Sequence, residues 1–543
     1  MAMEESNGNC CCFCVGQRVL SLASNSSERG TVKYVGAVQG YEGVWVGVEW
    51  DSGQGRHNGR VNGIQYFCTQ DQLPSGSLVR PNKLSAGVSL LDALSSRYKA
   101  TLSQSEEDDM YVTTQRRMRV AVELVGKNQV AEHQAHLEML TVATLAYTGV
   151  CSAGAQGEIR LSAPNITDLD LTGNLIPEWQ EVGRICEELP ALKLLDLSSS
   201  RIAITMRDGL PVLSNLTTLV LNHCAMRWKH VEVLNGCLPK IEELSLCGNK
   251  LQKTTTTSQP FVGGFESLRL LNLEDNLFDN WNEIVKLSQL QSLQQLYLSG
   301  NCLQQLWYPD SSSSTADHHH KDTEFKPFAA LRCLLLAGNK ISEWSSVDAL
   351  DQFPALEEVR LSQNPLTDSG NGVAPRYMLI AHLGKITSLN GSQVKPRERR
   401  DAEIRYVRHV LSTMQRKDME EIMKSHPRFE HLQVLHDVPM DLGGGSTGKT
   451  STMASSLISV SIVCVAATIG ERAPITKKLP SSTTIGRLKV VCEALFKLRA
   501  ARQQLFFKDQ DAPLPVALVD DMESLADLGF VANTTIIVDE VHD

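Results

Sequence analysis

Basic charge is what this sequence of 543 residues lacks most plainly: 52 Lys and Arg stand against 62 Asp and Glu, a formal net charge of −10. That balance argues against a nucleic-acid partner, because phosphate binding needs a basic field. A secretory leader is missing too, since MAMEESNGN opens the chain without a basic region followed by an apolar core. Residues 450–470 form a long stretch without charge. Its length would cross a bilayer. Its core, however, alternates small polar and β-branched residues around Ser459 and Ser461, so a strand after a flexible linker fits better. Sustained heptads are absent, which removes a long coiled coil. The 14 cysteines are scattered instead of framed in pairs, which suits reduced thiols in the cytoplasm. Cys11 and Cys14 do form C-x-x-C, but the next cysteine is Cys68, so a tetrahedral zinc site lacks its second pair. Residues 1–14 read as an exposed, disordered tail. Ala2 excludes myristoylation, while acylation of a cysteine stays open.

What is present is a ladder. The pattern L-x-x-L-x-L-x-x-N-x-L starts at Ile166, Leu192, Leu216, Ile241, Leu268, Leu293, Leu331 and Leu356, with a degenerate rung at Leu137, Leu140 and Val142. In L-x-L both leucines point to one face of a short strand and the residue between them to the other. The asparagines Asn174, Asn249, Asn276, Asn301, Asn339 and Asn364 fall where the chain turns, where their amides satisfy backbone of neighbouring loops. The return segments carry apolar residues at helical spacing, as in Trp179, Val182, Ile185 and Leu189. Pro190, Pro239 and Pro354 stop the return before the next strand. No rung buries its own apolar face, so rungs must stack.

Pattern and period are similar to those of leucine-rich repeats, which implies an α/β solenoid over residues 137–411. The resemblance implies protein binding on the concave sheet. The central strand positions Asp170, Asp196, Val220, Ser245, Asn272, Tyr297, Leu335 and Arg360 are the candidates, with plain solvation as the alternative for each. Residues 387–411 resemble the cap that ends such arrays. The long step between Leu293 and Leu331 holds SSSSTADHHHKD, a loop whose three histidines are more simply exposed than metal-bound. Residues 87–136 read as a linker and N-terminal cap, with a strand at 119–126 and a helix at 128–140.

Residues 15–86 alternate short apolar strands with glycine turns, an all-β barrel. Seven Lys/Arg and five Asp/Glu lie between residues 15 and 85, a local net of +2. Its glycine spacing, VWVGVEWD, Gly55-Arg56-His57-Asn58-Gly59 and VNGIQYF resemble a CAP-Gly domain. That family binds acidic C-terminal tails ending in an aromatic residue, such as the end of α-tubulin. The resemblance puts the Gly55–Gly59 segment in the groove, with Trp45, Trp50, Tyr66 and Phe67 walling a slot for the terminal ring. Trp45 fits slot and core equally. The family's usual G-K-N-D-G reads G-R-H-N-G here: Arg56 keeps the cation, while His57 and Asn58 change the remaining chemistry.

Residues 412–456 read as a linker. Gly443 to Thr450 fits the phosphate-cradling pattern G-x-x-x-x-G-K-T, and Asp539 follows an apolar strand. Such a loop must join a strand to a helix; Pro439 and Asp441 before it and STMASS after it do neither, so nucleotide binding is rejected. Residues 457–541 read β-β-α-β-β, with Thr484 capping the helix, and resemble a ubiquitin-like β-grasp domain. Val541-His542-Asp543 lacks the Gly-Gly needed for conjugation, so a docking role is expected.

The order CAP-Gly, leucine-rich repeats, ubiquitin-like domain resembles the family of tubulin-folding E cofactors along nearly the whole chain. The resemblance implies a chaperone that is not an enzyme, is cytoplasmic and cytoskeleton-associated, needs no cofactor or metal and meets no nucleic acid or membrane. Its implied partners are α-tubulin and the tubulin cofactors D and C, with cofactor B and microtubules as further ones. A CAP-Gly microtubule adaptor is the alternative; a proteasome shuttle factor would carry ubiquitin-binding modules, and none is recognisable.

Overall fold

The computed structural model describes residues 13–22, 28–99, 111–113, 119–121, 136–204, 209–255, 261–309, 326–368, 374–414, 425–438, 457–465, 473–480, 483–508, 516–518, 521, 525 and 534–540. The first cysteines, the histidine loop, residues 443–450, residues 128–135 of the expected 128–140 helix and nearly all of the expected Ser524–Leu528 turn lie outside them; of that helix the described part holds one 3-10 turn, Leu137–Met139. The chain divides into two compact units, Met1–Ala374 with Lys385–Gln393, and Pro375–Gly384 with Val394–Asp543.

The first unit opens with a five-stranded antiparallel sheet built on the long hairpin Arg29–Val38 and Tyr41–Trp50, flanked by Arg18–Ser21, Leu84–Ser85 and Gly76–Val79. Alternation along the hairpin sends Val32, Val46 and Val48 to a core shared with Val19, Trp50 and Leu84.

The repeats follow as one sheet of eleven strands in chain order. Leu169, Leu195, Leu219, Leu244, Leu271, Leu296, Leu334 and Val359 pair in unbroken parallel register. All are buried, as is the second leucine of each strand from Leu171 to Leu361. Four return helices, Trp179–Glu188, Trp228–Asn235, Trp281–Val285 and Trp344–Asp351, each begin on a tryptophan. The first rung is shifted from the expected register. Ala143, not Leu140, pairs with Leu169, and Leu145 fills the second leucine slot while Val142 is exposed.

The asparagines form the expected buried ladder. Asn276 accepts from the backbone N–H of Asn249 and Leu251, at 3.0 and 2.9 Å, and donates back to the carbonyl of Leu246. Asn249, Asn339 and Asn364 repeat the motif on their own preceding rungs. Ser200 and Cys224 take the asparagine position in two rungs; the Cys224 thiol reaches the Leu197 carbonyl at 3.2 Å. The strand expected at 119–126 runs only Arg119–Ala121 within the described residues, paired with Tyr111–Thr113.

In the second unit, helix Pro396–Met414 packs on Arg376–His382 and Phe429–Leu435. Arg399 donates to the Ile380 and Leu383 carbonyls, satisfying the end of the shorter helix. The last sheet orders its strands Ile475–Pro480, Leu457–Cys464, Thr534–Glu540, Gln503–Lys508 and Val516–Leu518, with only the central pair parallel. Helix Ile485–Phe496 begins at Thr484, whose hydroxyl accepts from the Arg487 N–H, and buries Ile485, Leu488 and Cys492 against that sheet. This is the β-grasp arrangement of ubiquitin-like domains. The uncharged stretch thus contains a sheet strand, and among the described residues no helix is long and apolar enough to cross a membrane.

Candidate peptide-binding groove

Two cross-strand pairs set the groove: Tyr34 faces Gly47, and Gly36 faces Trp45. Directly opposed residues share a sheet face, so the glycines let aromatic rings lie flat on it: a Cβ at Gly36 would meet the Tyr34 hydroxyl at 2.7 Å. Phe67 closes over Gly47, whose missing Cβ would stand 2.5 Å from its ring. Tyr66 packs edge-on against Tyr34 at 5.3 Å between centroids, and its hydroxyl accepts from the Gln39 N–H at 2.9 Å. Tyr41 packs edge-on to Trp45, and the Arg80 guanidinium lies 4.0 Å over the Trp45 ring. Such stacking holds a cation on the face without consuming its hydrogen-bond donors.

The Gly55–Gly59 segment is pinned beside this face by backbone pairing: the N–H groups of Arg56 and His57 both donate to the Gly76 carbonyl, at 2.8 and 3.0 Å. Gly59 has φ +90°, and a Cβ there would lie 1.9 Å from the Phe67 carbonyl oxygen, so no other residue fits. Arg56 extends into solvent. His57 accepts the Gly59 N–H on Nδ1 at 3.0 Å, which fixes the neutral ring with its proton on Nε2. Burial, reinforced by the Arg56 charge, holds its pKa below the usual 6.5. Asn58 turns inward to its own loop, accepting from the Arg60 N–H.

Of the expected groove residues, the structure brings Trp45, Tyr66, Phe67 and the Gly55–Gly59 segment together, with Phe67 as a buried floor. Trp50 does not join them: at 6 % exposure it packs into the core against Gly30. Tyr34 and Arg80 belong to the face and were missed. Alternation counted from Val32 would send Tyr34 to the core side; a bulge between the two turns it to the open face instead, and no local pattern announces that bulge.

On the eleven-stranded sheet, the eight candidates from Asp170 to Arg360 do form one column. Asp170, Asp196 and Asn272 each accept from the N–H two residues on, so those side chains shape their own turns. Val220, Ser245, Tyr297 and Leu335 are half-buried, and Arg360 is exposed. A second column, including Asp168, Glu243, Gln295 and Glu358, lies on the same face two residues earlier, and period-two alternation could have found it. Tyr297 joins the columns, donating to Gln295 at 2.6 Å. Among the described residues no cluster of His, Cys, Asp or Glu is arranged to hold a metal ion.

Comparison with known proteins adds to this geometry. The CAP-Gly domain model matches residues 15–84. The tubulin-folding cofactor E of Arabidopsis thaliana is 44% identical over 542 residues, covering 99% of this chain and 100% of the relative. The tubulin-specific chaperone E of Danio rerio is 31% identical, over 91% of this chain and 92% of the relative. Among solved structures, the C-terminal ubiquitin-like domain of mouse tubulin-specific chaperone e is 22% identical, with a TM-score of 0.15, spanning 18% of this chain and 97% of that one.

Proposed function

Because this chain belongs to the tubulin-folding cofactor E family, we infer that it is a tubulin-folding chaperone that captures α-tubulin through several separate surfaces. The full-length relationship carries this reading; the groove supplies its chemistry. An acidic tail ending in an aromatic residue brings carboxylates to Arg56 and Arg80 and a ring to Trp45 and Tyr66. The domain's local charge of +2, on a chain of −10, favours that ligand.

The ladder is read as a leucine-rich-repeat solenoid whose open sheet face, including Tyr297 and Arg360, cradles the body of α-tubulin. The β-grasp domain docks tubulin or a second cofactor. Cofactors D and C receive and complete the αβ-tubulin heterodimer in this scheme, and cofactor B and microtubules are further partners. Linking modest sites raises their effective concentration, so no single surface has to bind tightly. The reading assigns no catalytic residue, and cysteines that are free among the described residues suit a cytoplasmic, cytoskeleton-associated protein.

Arg56→Glu tests the groove. It should weaken capture of intact α-tubulin and leave capture of α-tubulin lacking its acidic tail unchanged. Equal loss on both would remove the groove assignment.

A further inference from the structure

The groove-bearing domain is fastened to the repeat sheet. Arg18, 1 % exposed, donates to Asp51 at 2.8 Å, and Asp51 also meets Arg201, whose Nη2 donates to its backbone carbonyl at 3.0 Å. Arg29 lies 5.0 Å over the ring of Tyr147. Beside this junction opens a cleft of about 1270 Å³, walled on one side by Asp51, Ser52 and Gln70 and on the other by the rungs around Lys229 and Lys250.

The cleft is basic. Seven Lys and Arg line it against three carboxylates. Those carboxylates are engaged: Asp51 as above, Glu283 by Lys286 at 2.7 Å, Glu28 by the Ser52 hydroxyl. Arg227, Lys229, Lys250 and Lys253 are exposed, and among the described residues none has a carboxylate within ion-pair distance. Burial first, then the charges of Lys229 and Arg227, hold the pKa of His230 below its usual value, as a positive field requires. Four unmatched cations gathered in one concavity of an acidic chain favour a polyanionic occupant.

The cleft wall and the groove segment are close along the chain. Ser52 on the cleft wall is three residues from Gly55, which limits their Cα separation to about 11 Å. Three or four extended residues span that distance. We propose that the cleft holds the acidic stretch of the same peptide whose C-terminal residues occupy the groove, so that the two form one continuous tail-binding track. The proposal rests on the groove reading, and its test separates the two.

The full-length protein would be titrated by fluorescence anisotropy with two labelled peptides of equal length. One is a run of glutamates ending Glu-Glu-Tyr; the other has glutamine at every position before Glu-Glu-Tyr. The double variant Lys229→Glu/Lys253→Glu changes two exposed positions, and Lys229 lies in the first turn of a helix, where an acidic residue is favourable. The double variant should weaken the glutamate peptide about tenfold and leave the glutamine peptide unchanged. Arg56→Glu should weaken both. Equal affinity of wild type and double variant for the glutamate peptide would overturn the cleft and leave the groove standing. Arg56→Glu without effect on either peptide would overturn the groove, and with it the continuous track. Tighter binding of a single-stranded oligothymidylate than of the glutamate peptide would also overturn the proposal.

Discussion

Replacing Asn276 with alanine probes the energetics of the ladder at one rung. Its side-chain oxygen is the acceptor for the Asn249 and Leu251 N–H groups. Its amide donates to the carbonyls of Leu246, Leu273 and Glu274. The first two of these carbonyls keep another donor, because Asn249 also reaches Leu246 and Asn301 also reaches Leu273. The two N–H groups have no substitute, and Asn249 and Leu251 are buried. An orphaned buried donor costs about 1–3 kcal/mol, so the pair costs roughly 2–6 kcal/mol. Global unfolding of a multidomain chain does not yield one free energy, so the assay is native-state hydrogen exchange across residues 246–276. Protection there should fall at least ~30-fold, the equivalent of about 2 kcal/mol. Residues 485–496 serve as the unaffected control. A loss below about fivefold would refute the view that these amides hold the rungs together.

Three further outcomes follow from the geometry. Gly59→Ala forces a Cβ onto the Phe67 carbonyl at a left-handed φ, and should cost a few kcal/mol of local stability, on the order of other backbone clashes; increased proteolysis of residues 15–86 would report it, and an unchanged digestion pattern would contradict it. His57 is neutral in the fold and titrates below 6.5, while the unfolded ring titrates near 6.5. The stability it contributes is therefore complete above about 6.5 and lost as pH falls through its lower folded value. An NMR titration of its imidazole should give a midpoint below 6.5, and a midpoint above it would refute the Nδ1 hydrogen bond. Burial pushes the thiols of Cys186 and Cys224 up to about 12, so brief native alkylation at neutral pH should label exposed Cys14 and Cys68 and spare both; labelling of all four together would contradict the packing.

The repeat ladder was legible because leucine and asparagine mark each rung at fixed offsets. It failed at the first rung, where Ala143 occupies a leucine position and is too small to signal its burial. The groove was legible in its glycines, which steric contact makes irreplaceable at Gly59 and Gly55. Its aromatics were not all assignable, since a tryptophan reads the same in a core and in a slot: alternation alone sends Trp45 out and Trp50 in. The basic cleft was not legible. It depends on Asp51 meeting Arg201 across 150 positions of sequence, a contact that no local pattern announces.

The most direct test of the central claim mixes the purified full-length protein with αβ-tubulin heterodimer, with and without cofactor D as an acceptor for β-tubulin, and resolves the species by size-exclusion chromatography. The account predicts a stable complex with α-tubulin from which β-tubulin has departed. A complex that retains the intact heterodimer in both runs would contradict it and indicate an adaptor that binds assembled tubulin.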